Sequence, residues 1–223
     1  MKSQYAESEF SAAFPCTVDS GNFRIRYAGV TDYLLTWDAM KNFTAFRTRD
    51  TPDEIWLLQH PPVYTLGVAG RSEHLLQNNG IVVIRTDRGG QITYHGPGQI
   101  VAYLMLDMRR LRLGVRELVR KMEGAVVDLL REYGIDAQGS TEAPGVYVGQ
   151  AKIAALGLKV RKGCCYHGVA LNVDMNMLPF SAINPCGYSG LQVTQTKDLG
   201  VTEELDVLRE KLADRLRASL TPT

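Results

Sequence analysis

The stretch Lys152-Ile153-Ala154-Ala155-Leu156-Gly157-Leu158-Lys159-Val160, then Arg161-Lys162-Gly163, then Cys165-Tyr166-His167-Gly168-Val169-Ala170-Leu171-Asn172-Val173 decides the fold class. Two apolar runs joined by a short basic connection that ends in glycine read as an antiparallel hairpin. Gly145–Val148 reads as one more strand just ahead of it. Upstream, Glu54–Gln59 is short and apolar and stops at His60-Pro61-Pro62, where two prolines end any ladder, and Val63–Leu66 is again extended. Ile81–Arg85 and Ile100–Asp107 read as buried strands. Strands thus follow one another through hairpins and do not alternate strictly with helices. The expected class is α+β, with a mixed, largely antiparallel sheet flanked by helices.

Three helices complete this reading. Tyr33, Leu34, Trp37, Met40 and Phe43 recur at helical spacing as far as Phe46, with Thr31 or Asp32 as N-cap. Val115, Leu118, Val119, Met122, Val126, Leu129, Leu130 and Tyr133 fall three and four apart, and Gly134 stands where a C′ glycine belongs. Thr202 caps a last helix whose Leu205, Leu208, Leu212, Leu216 and Leu220 share a face. Ser72–Gln77 has room for one or two helical turns before Asn78-Asn79-Gly80. Residues 1–22 are polar, aperiodic and broken by Pro15 and Gly21, so they read as a loosely held extension outside the core.

Charge and composition narrow the function classes. Lys and Arg number 25 against 24 Asp and Glu, a balance that argues against a phosphate-tracking nucleic-acid binder or a charge-held membrane protein. No run approaches the length of a membrane span, and the N-terminus lacks the apolar core of a secretory signal. Cys16, Cys164, Cys165 and Cys186 form neither a C-x-x-C pair nor a zinc-type spacing, so no metal site is expected and free thiols in a reducing, cytoplasmic setting fit.

Chemistry concentrates in three places. Arg88-Gly89-Gly90-Gln91-Ile92-Thr93-Tyr94-His95-Gly96-Pro97-Gly98-Gln99 places four glycines, a proline, an arginine and a histidine between two apolar strands. Its amides can approach a ligand closely, and Arg88 and His95 offer donors to a carbonyl or phosphate oxygen. The pattern is neither G-x-G-x-x-G nor a Walker loop, and a long kinked β-loop is the plain alternative. Cys186, in Asn184-Pro185-Cys186-Gly187-Tyr188, sits in a turn that would present a thiol at a surface or cleft. A nucleophilic thiol needs a proton partner, and His95, His167 and Lys152 are the candidates, Lys152 because it enters an apolar strand. Taken singly, such a lysine snorkels, such a cysteine packs and such a histidine makes a structural hydrogen bond. Cys164 and Cys165 alternate across a strand and receive no role.

Together, Arg88-Gly89-Gly90 through His95-Gly96-Pro97-Gly98-Gln99, Lys152 through Gly157, His167-Gly168-Val169-Ala170-Leu171-Asn172 and Pro185-Cys186-Gly187 resemble the bacterial-type octanoyltransferases of lipoate biosynthesis, in order and in spacing. The resemblance runs from about residue 24 to 210. It implies a fold similar to the catalytic domains of lipoate and biotin protein ligases, with residues 23–223 as one acyltransferase domain. It also implies transfer of an octanoyl group from acyl carrier protein to a specific lysine of lipoyl domains, those of 2-oxoacid dehydrogenase complexes and the glycine cleavage H protein, through a cysteine thioester. Carried over, Cys186 is the nucleophile and Lys152 its general base and acid. Arg88, Gly89, Gly90, Gln91, Ile92, Thr93, Tyr94, His95, Ala155, Leu156, Gly157, Gly168, Val169 and Ala170 line the acyl site. No cofactor is implied, because thioester exchange is nearly isoenergetic and the final amide is downhill. Amides of Gly89–Thr93 are the expected oxyanion donors. A local patch including Arg109, Arg110, Arg112, Arg116 and Arg120 suits an acidic protein partner, with a solvated helix face as the plain alternative. An ATP-dependent ligase and a non-catalytic binding module are the alternatives.

Overall fold

A computed structural model describes residues 16–20, 23–77 and 79–221, without the side chains of Cys16, Ser20 and Cys186. In chain order the strands and helices are β1 (Cys16–Ser20), β2 (Phe23–Val30), α1 (Tyr33–Phe46), β3 (Asp53–Gln59), β4 (Val63–Leu66), β5 (Val83–Arg85), β6 (Ile92–His95), β7 (Gln99–Asp107), α2 (Val115–Arg131), β8 (Gln138–Gly139), β9 (Gly145–Val148), β10 (Ala151–Arg161), β11 (Cys164–Asn172) and α3 (Leu205–Leu220). Eight strands form one sheet in the order β1-β2-β3-β7-β11-β10-β9-β8, and three form a second, β5-β4-β6. Among the described strands only the β2–β3 and β4–β5 pairings are parallel; the rest are antiparallel. The class is therefore the α+β arrangement expected.

Strand β7 shows why the large sheet holds. Ile100, Ala102, Leu104 and Leu106 join the core that α2 and α3 cover, while Val101, Tyr103 and Met105 join the cluster under α1. Covered on both faces, all of β7 is buried, and its sequence reads as a continuous apolar run. The β10–β11 hairpin closes on Lys162 (φ 50°) and Gly163 (φ 75°), the pair of positive φ values that a tight type I′ turn requires. Helix α1 is capped by Asp32, whose Oδ1 accepts from the Leu35 amide at 3.0 Å. Asp32→Ala is expected to cost about 1 kcal/mol, read as a lowered urea midpoint with unchanged slope.

Several expectations change. Cys16–Ser20 is not loose: it pairs antiparallel with β2 at the sheet's edge, its described side chains exposed, while residues 1–15 lie outside the described residues. The buried stripe of α1 is Tyr33, Thr36, Met40 and Thr44, and Leu34 is exposed, because it lies about 100° round the helix from Tyr33. The strand expected over 81–85 shrinks to Val83–Arg85 and is an exposed edge, paired to β4 alone. Ser72–Gln77 does hold one helical turn, at the short end of the expectation, as a 3-10 turn over Ser72–His74. The glycine loop contains a strand, β6, and α3 starts after Glu204 with no side-chain cap, not after Thr202. Among the described residues no helix is long and apolar enough to cross a membrane.

Candidate active site

A cavity of about 380 Å³ opens where β10, β11 and the glycine loop converge. The loop contributes Arg88, Gly89, Gly90, Gln91, Ile92, Thr93 and His95 to its wall; β10 contributes Ala155–Leu158, β11 His167–Ala170 and α2 Val115 and Val119. Tyr33 and Tyr103 lie on its aromatic side, while Glu142, Ala143, Pro144 and Tyr188 border it elsewhere. Of the residues expected to line an acyl site, the structure gathers all but Tyr94. Strand alternation turns Tyr94 to the other face of β6, against Tyr64 and Phe180, at ring-centroid distances of 5.6 and 5.4 Å.

Glycines let the loop lie on the sheet. Gly157 faces Gly168 across the β10–β11 ladder, and a Cβ at Gly157 would stand 3.1 Å from the Gly89 carbonyl oxygen. The Gly89 amide donates to the Leu158 carbonyl at 2.9 Å, so it is engaged with β10 and is not an oxyanion donor. Arg88 also differs from expectation. Its Nη2 donates to the Thr65 and Gln91 carbonyls at 2.6 and 2.8 Å, its Nη1 to the Gly89 carbonyl at 2.9 Å and its Nε to Thr65 Oγ1 at 3.1 Å. A planar fork buried against three carbonyls holds the loop in shape.

Three neutral histidines, His95 and His167 in the cavity wall and His60 with its ring 5.9 Å from that of His95, form a layer that sequence spacing does not reveal. His60 Nδ1 donates to the Thr31 carbonyl at 2.7 Å, which leaves Nε2 to accept from the Tyr103 hydroxyl at 2.7 Å. His95 Nδ1 donates to Gln99 Oε1 at 2.7 Å, and Gln99 in turn donates to Asn172 Oδ1 at 2.9 Å. His95 therefore supplies no donor to a ligand through Nδ1, contrary to expectation. His167, which is 1% exposed with φ 64°, donates from Nε2 to Asp87 Oδ1 at 3.1 Å, and its Nδ1 has no hydrogen-bond partner. Trp37 and Tyr166 also donate to Asp87, whose carboxyl these bonds hold well below the usual range despite its burial. Asp87 directly precedes Arg88, and that adjacency was the signal available in the sequence.

Burial pushes His60 down to about 4 and His95 down to about 3, and lowers His167 as well. The unfolded chain takes up these protons near pH 6.5, before the folded chain does. Stability is accordingly full above 6.5 and declines as the pH falls toward 4 and 3, by roughly 3–5 kcal/mol for each of His60 and His95 at the acid end. Urea unfolding is expected to show no loss from these histidines between pH 8 and about 6.5 and a progressive fall in stability from there to pH 5; a flat profile down to pH 5 would contradict the neutral layer.

Lys152 is 3% exposed. A register shift in the β9–β10 pairing between Lys152 and Ala154 re-aims the side chain, and Nζ donates to the Pro144 carbonyl at 3.1 Å while standing 5.0 Å over the Tyr147 ring. The lysine is buried and does not snorkel. Its backbone is tied to the segment that follows Cys186: the Lys152 amide donates to the Gln192 carbonyl at 2.9 Å and its carbonyl accepts from Thr194 at 3.0 Å. Cys186 lies in a 3-10 turn, Pro185–Gly187, anchored by Asn184 N–H to the His74 carbonyl at 2.8 Å; the Cys186 side chain lies outside the described residues. Pro144, which receives Lys152, and Tyr188, two residues past Cys186, border the same cavity. Cys164 and Cys165 are both buried, and burial pushes the Cys165 thiol up to about 12, which suits packing and not reactivity. The arginine face divides: Arg109 and Arg110 pair with Asp107 and Asp53, whereas Arg112, Arg116 and Arg120 are exposed.

The lipoyl protein ligase A/B catalytic domain family matches residues 32–217. An octanoyltransferase of Nitrosospira multiformis is 72% identical over 196 residues, covering 88% of this chain and 91% of that protein. One from Nitrosomonas europaea is 64% identical, covering 88% and 97%. Among solved structures, the bi-partite lipoate protein ligase of Thermoplasma acidophilum superposes with a TM-score of 0.72 at 18% identity, over 91% of this chain and 84% of that one. The biotin protein ligase of Aquifex aeolicus gives 0.53 at 11%, over 88% and 68%. A glycine-lined cavity beside a buried lysine, on this sheet and with these relatives, has one family reading: the chain belongs to the octanoyltransferases, within the lipoyl protein ligase A/B catalytic domain family.

Proposed function

We propose that the protein takes an octanoyl group from the thioester of acyl carrier protein and delivers it to the ε-amine of a lysine on lipoyl domains, including those of 2-oxoacid dehydrogenase complexes and the glycine cleavage H protein. The reading treats residues 23–223 as one catalytic domain working in the cytoplasm, without a cofactor. The cavity wall formed by Arg88–Thr93, His95, Ala155–Gly157 and Gly168–Ala170 would hold the acyl chain. Arg88 would shape that wall and not contact the reacting carbonyl.

In the first half-reaction Lys152 Nζ takes the Cys186 thiol proton and the sulfur attacks the donor thioester carbonyl. The tetrahedral intermediate collapses to the acyl-enzyme, and the departing carrier thiolate receives that proton from Lys152. In the second half-reaction the acceptor amine attacks the new thioester, Lys152 takes the amine's proton, and it returns the proton to the Cys186 sulfur as the amide forms. Both steps are proton-neutral overall and need no nucleotide. The observation that carries the reading is Lys152: a buried amine on an apolar strand, held at the Pro144 carbonyl on the cavity's border and tied by its backbone to the chain just past Cys186.

The test is an intact mass after incubation with octanoyl-acyl carrier protein and no ATP, beside Cys186→Ser. A hydroxylamine-labile octanoyl adduct that the variant lacks is expected. Transfer to a lipoyl domain with no adduct would overturn the covalent mechanism. Transfer only with ATP and free octanoate would favour a ligase.

A further inference from the structure

Helix α2 buries Leu118, Met122, Ala125, Val126, Leu129 and Leu130, and among them one charged side chain, Glu123, which is 6% exposed. Its Oε1 accepts from the Gly145 amide at 2.9 Å. That amide belongs to the same peptide unit whose other end, the Pro144 carbonyl, accepts from Lys152 Nζ at 3.1 Å. One peptide group therefore lies between a carboxylate and an amine, polarised from both sides. Two glycines make room for the two ends. A Cβ at Gly145 would stand 2.6 Å from Lys152 Cε and 2.9 Å from Nζ, and a Cβ at Gly139 would stand 2.8 Å from Glu123 Oε2.

We infer that Glu123 is a positioning residue for Lys152, acting through the Pro144–Gly145 peptide to set the amine's direction and its hold on a proton. The inference rests on Lys152 being the base of the proposed reaction. The carboxylate fixes the peptide plane, and the plane fixes the carbonyl on which Nζ rests. Its negative charge, relayed by the amide dipole, favours the protonated amine. The surrounding titratable and charged groups are few. Strand β9 brings Tyr147 and the turn before it Glu142; Tyr188 borders the same cavity, and His74 stands by Gly187. Strand β8 and the segment 192–194 bring none. On α2 itself Lys121 Nζ is engaged by the Ser219 carbonyl at 2.6 Å and Arg120 is exposed.

Glu123→Gln keeps an acceptor for Gly145 and removes the charge, so it separates the electrostatic role from the structural one. The experiment measures the rate of acyl-enzyme formation by mass, in single turnover from pH 5.5 to 9.5. Removing an anion favours loss of a proton from either member of the Lys152–Cys186 pair, so the acid limb is expected to move down by about one pH unit. Glu123→Ala, which also frees the peptide, is expected to be at least tenfold slower across the range. A Glu123→Gln profile that superimposes on the wild type would overturn the inference and leave Glu123 as a packing residue. Should the glutamine variant fail to fold, Gly139→Ala crowds the carboxylate without touching Lys152; it is expected to slow acylation at least fivefold at unchanged donor KM, and an unchanged rate would equally overturn the inference. Wild-type protein that forms no labile adduct at all would instead remove the Lys152–Cys186 reading itself.

Discussion

Replacing Lys152 with methionine is expected to lower octanoyl transfer by about 10³-fold while leaving the donor's KM within a few fold, because general base and acid catalysis by one positioned group contributes on that scale. Methionine nearly matches the lysine stem, so the apolar strand and its packing survive. The loss is confined to the amine and to the Pro144 carbonyl it leaves without that donor, a stability cost of about 1–2 kcal/mol. Lys152→Arg is expected to be as inactive as the methionine variant, since a guanidinium does not give up its proton near neutral pH. The acyl-enzyme should fail to accumulate in both variants, as is also expected of Cys186→Ala. A Lys152→Met protein that acylates at the wild-type rate would remove the lysine from the mechanism.

Arg88→Met is expected to cost about 3–5 kcal/mol and to reduce kcat/KM by about 100-fold. The guanidinium is the common partner of the Thr65, Gly89 and Gln91 carbonyls, and removing it strands buried acceptors with nothing to replace its bonds. The Gly89–Leu158 bond, which seats the loop on β10, depends on the same arrangement. Arg88→Lys is expected to rescue little, because a point ammonium cannot reach three divergent carbonyls in one plane. Urea unfolding reads the stability and steady-state transfer reads the activity. Wild-type kinetics in Arg88→Met would mean that the loop keeps its shape without the fork.

The elements read best from sequence are those whose side chains meet one continuous core. Helix α2 repeats its apolar residues every three and four positions because one side of it meets a single continuous core, and β7, β10 and β11 are long enough for their composition to speak. Strand β6 is hidden in the glycine loop: it is only four residues long between glycines, and its partner, β4, is needed to make it a strand. The exposure of β5 and the start of α3 after Glu204 depend on neighbours distant in sequence.

For the site, the sequence by itself determined which segments are candidates for the chemistry: glycines, an arginine, a lysine in an apolar run and a cysteine in a turn are local facts, and local spacing suffices to pick them out. What the described side chains among them touch was decided by the tertiary structure. Arg88 and His95 have donors in any conformation, but only the fold shows that Thr65, Gly89, Gln91 and Gln99 already occupy them. Asp87, His60 and Glu123 came to light through partners tens of residues away. The reason is physical: a buried polar group is defined by the partner that satisfies it, and that partner is supplied by packing between elements, which no single stretch of sequence contains.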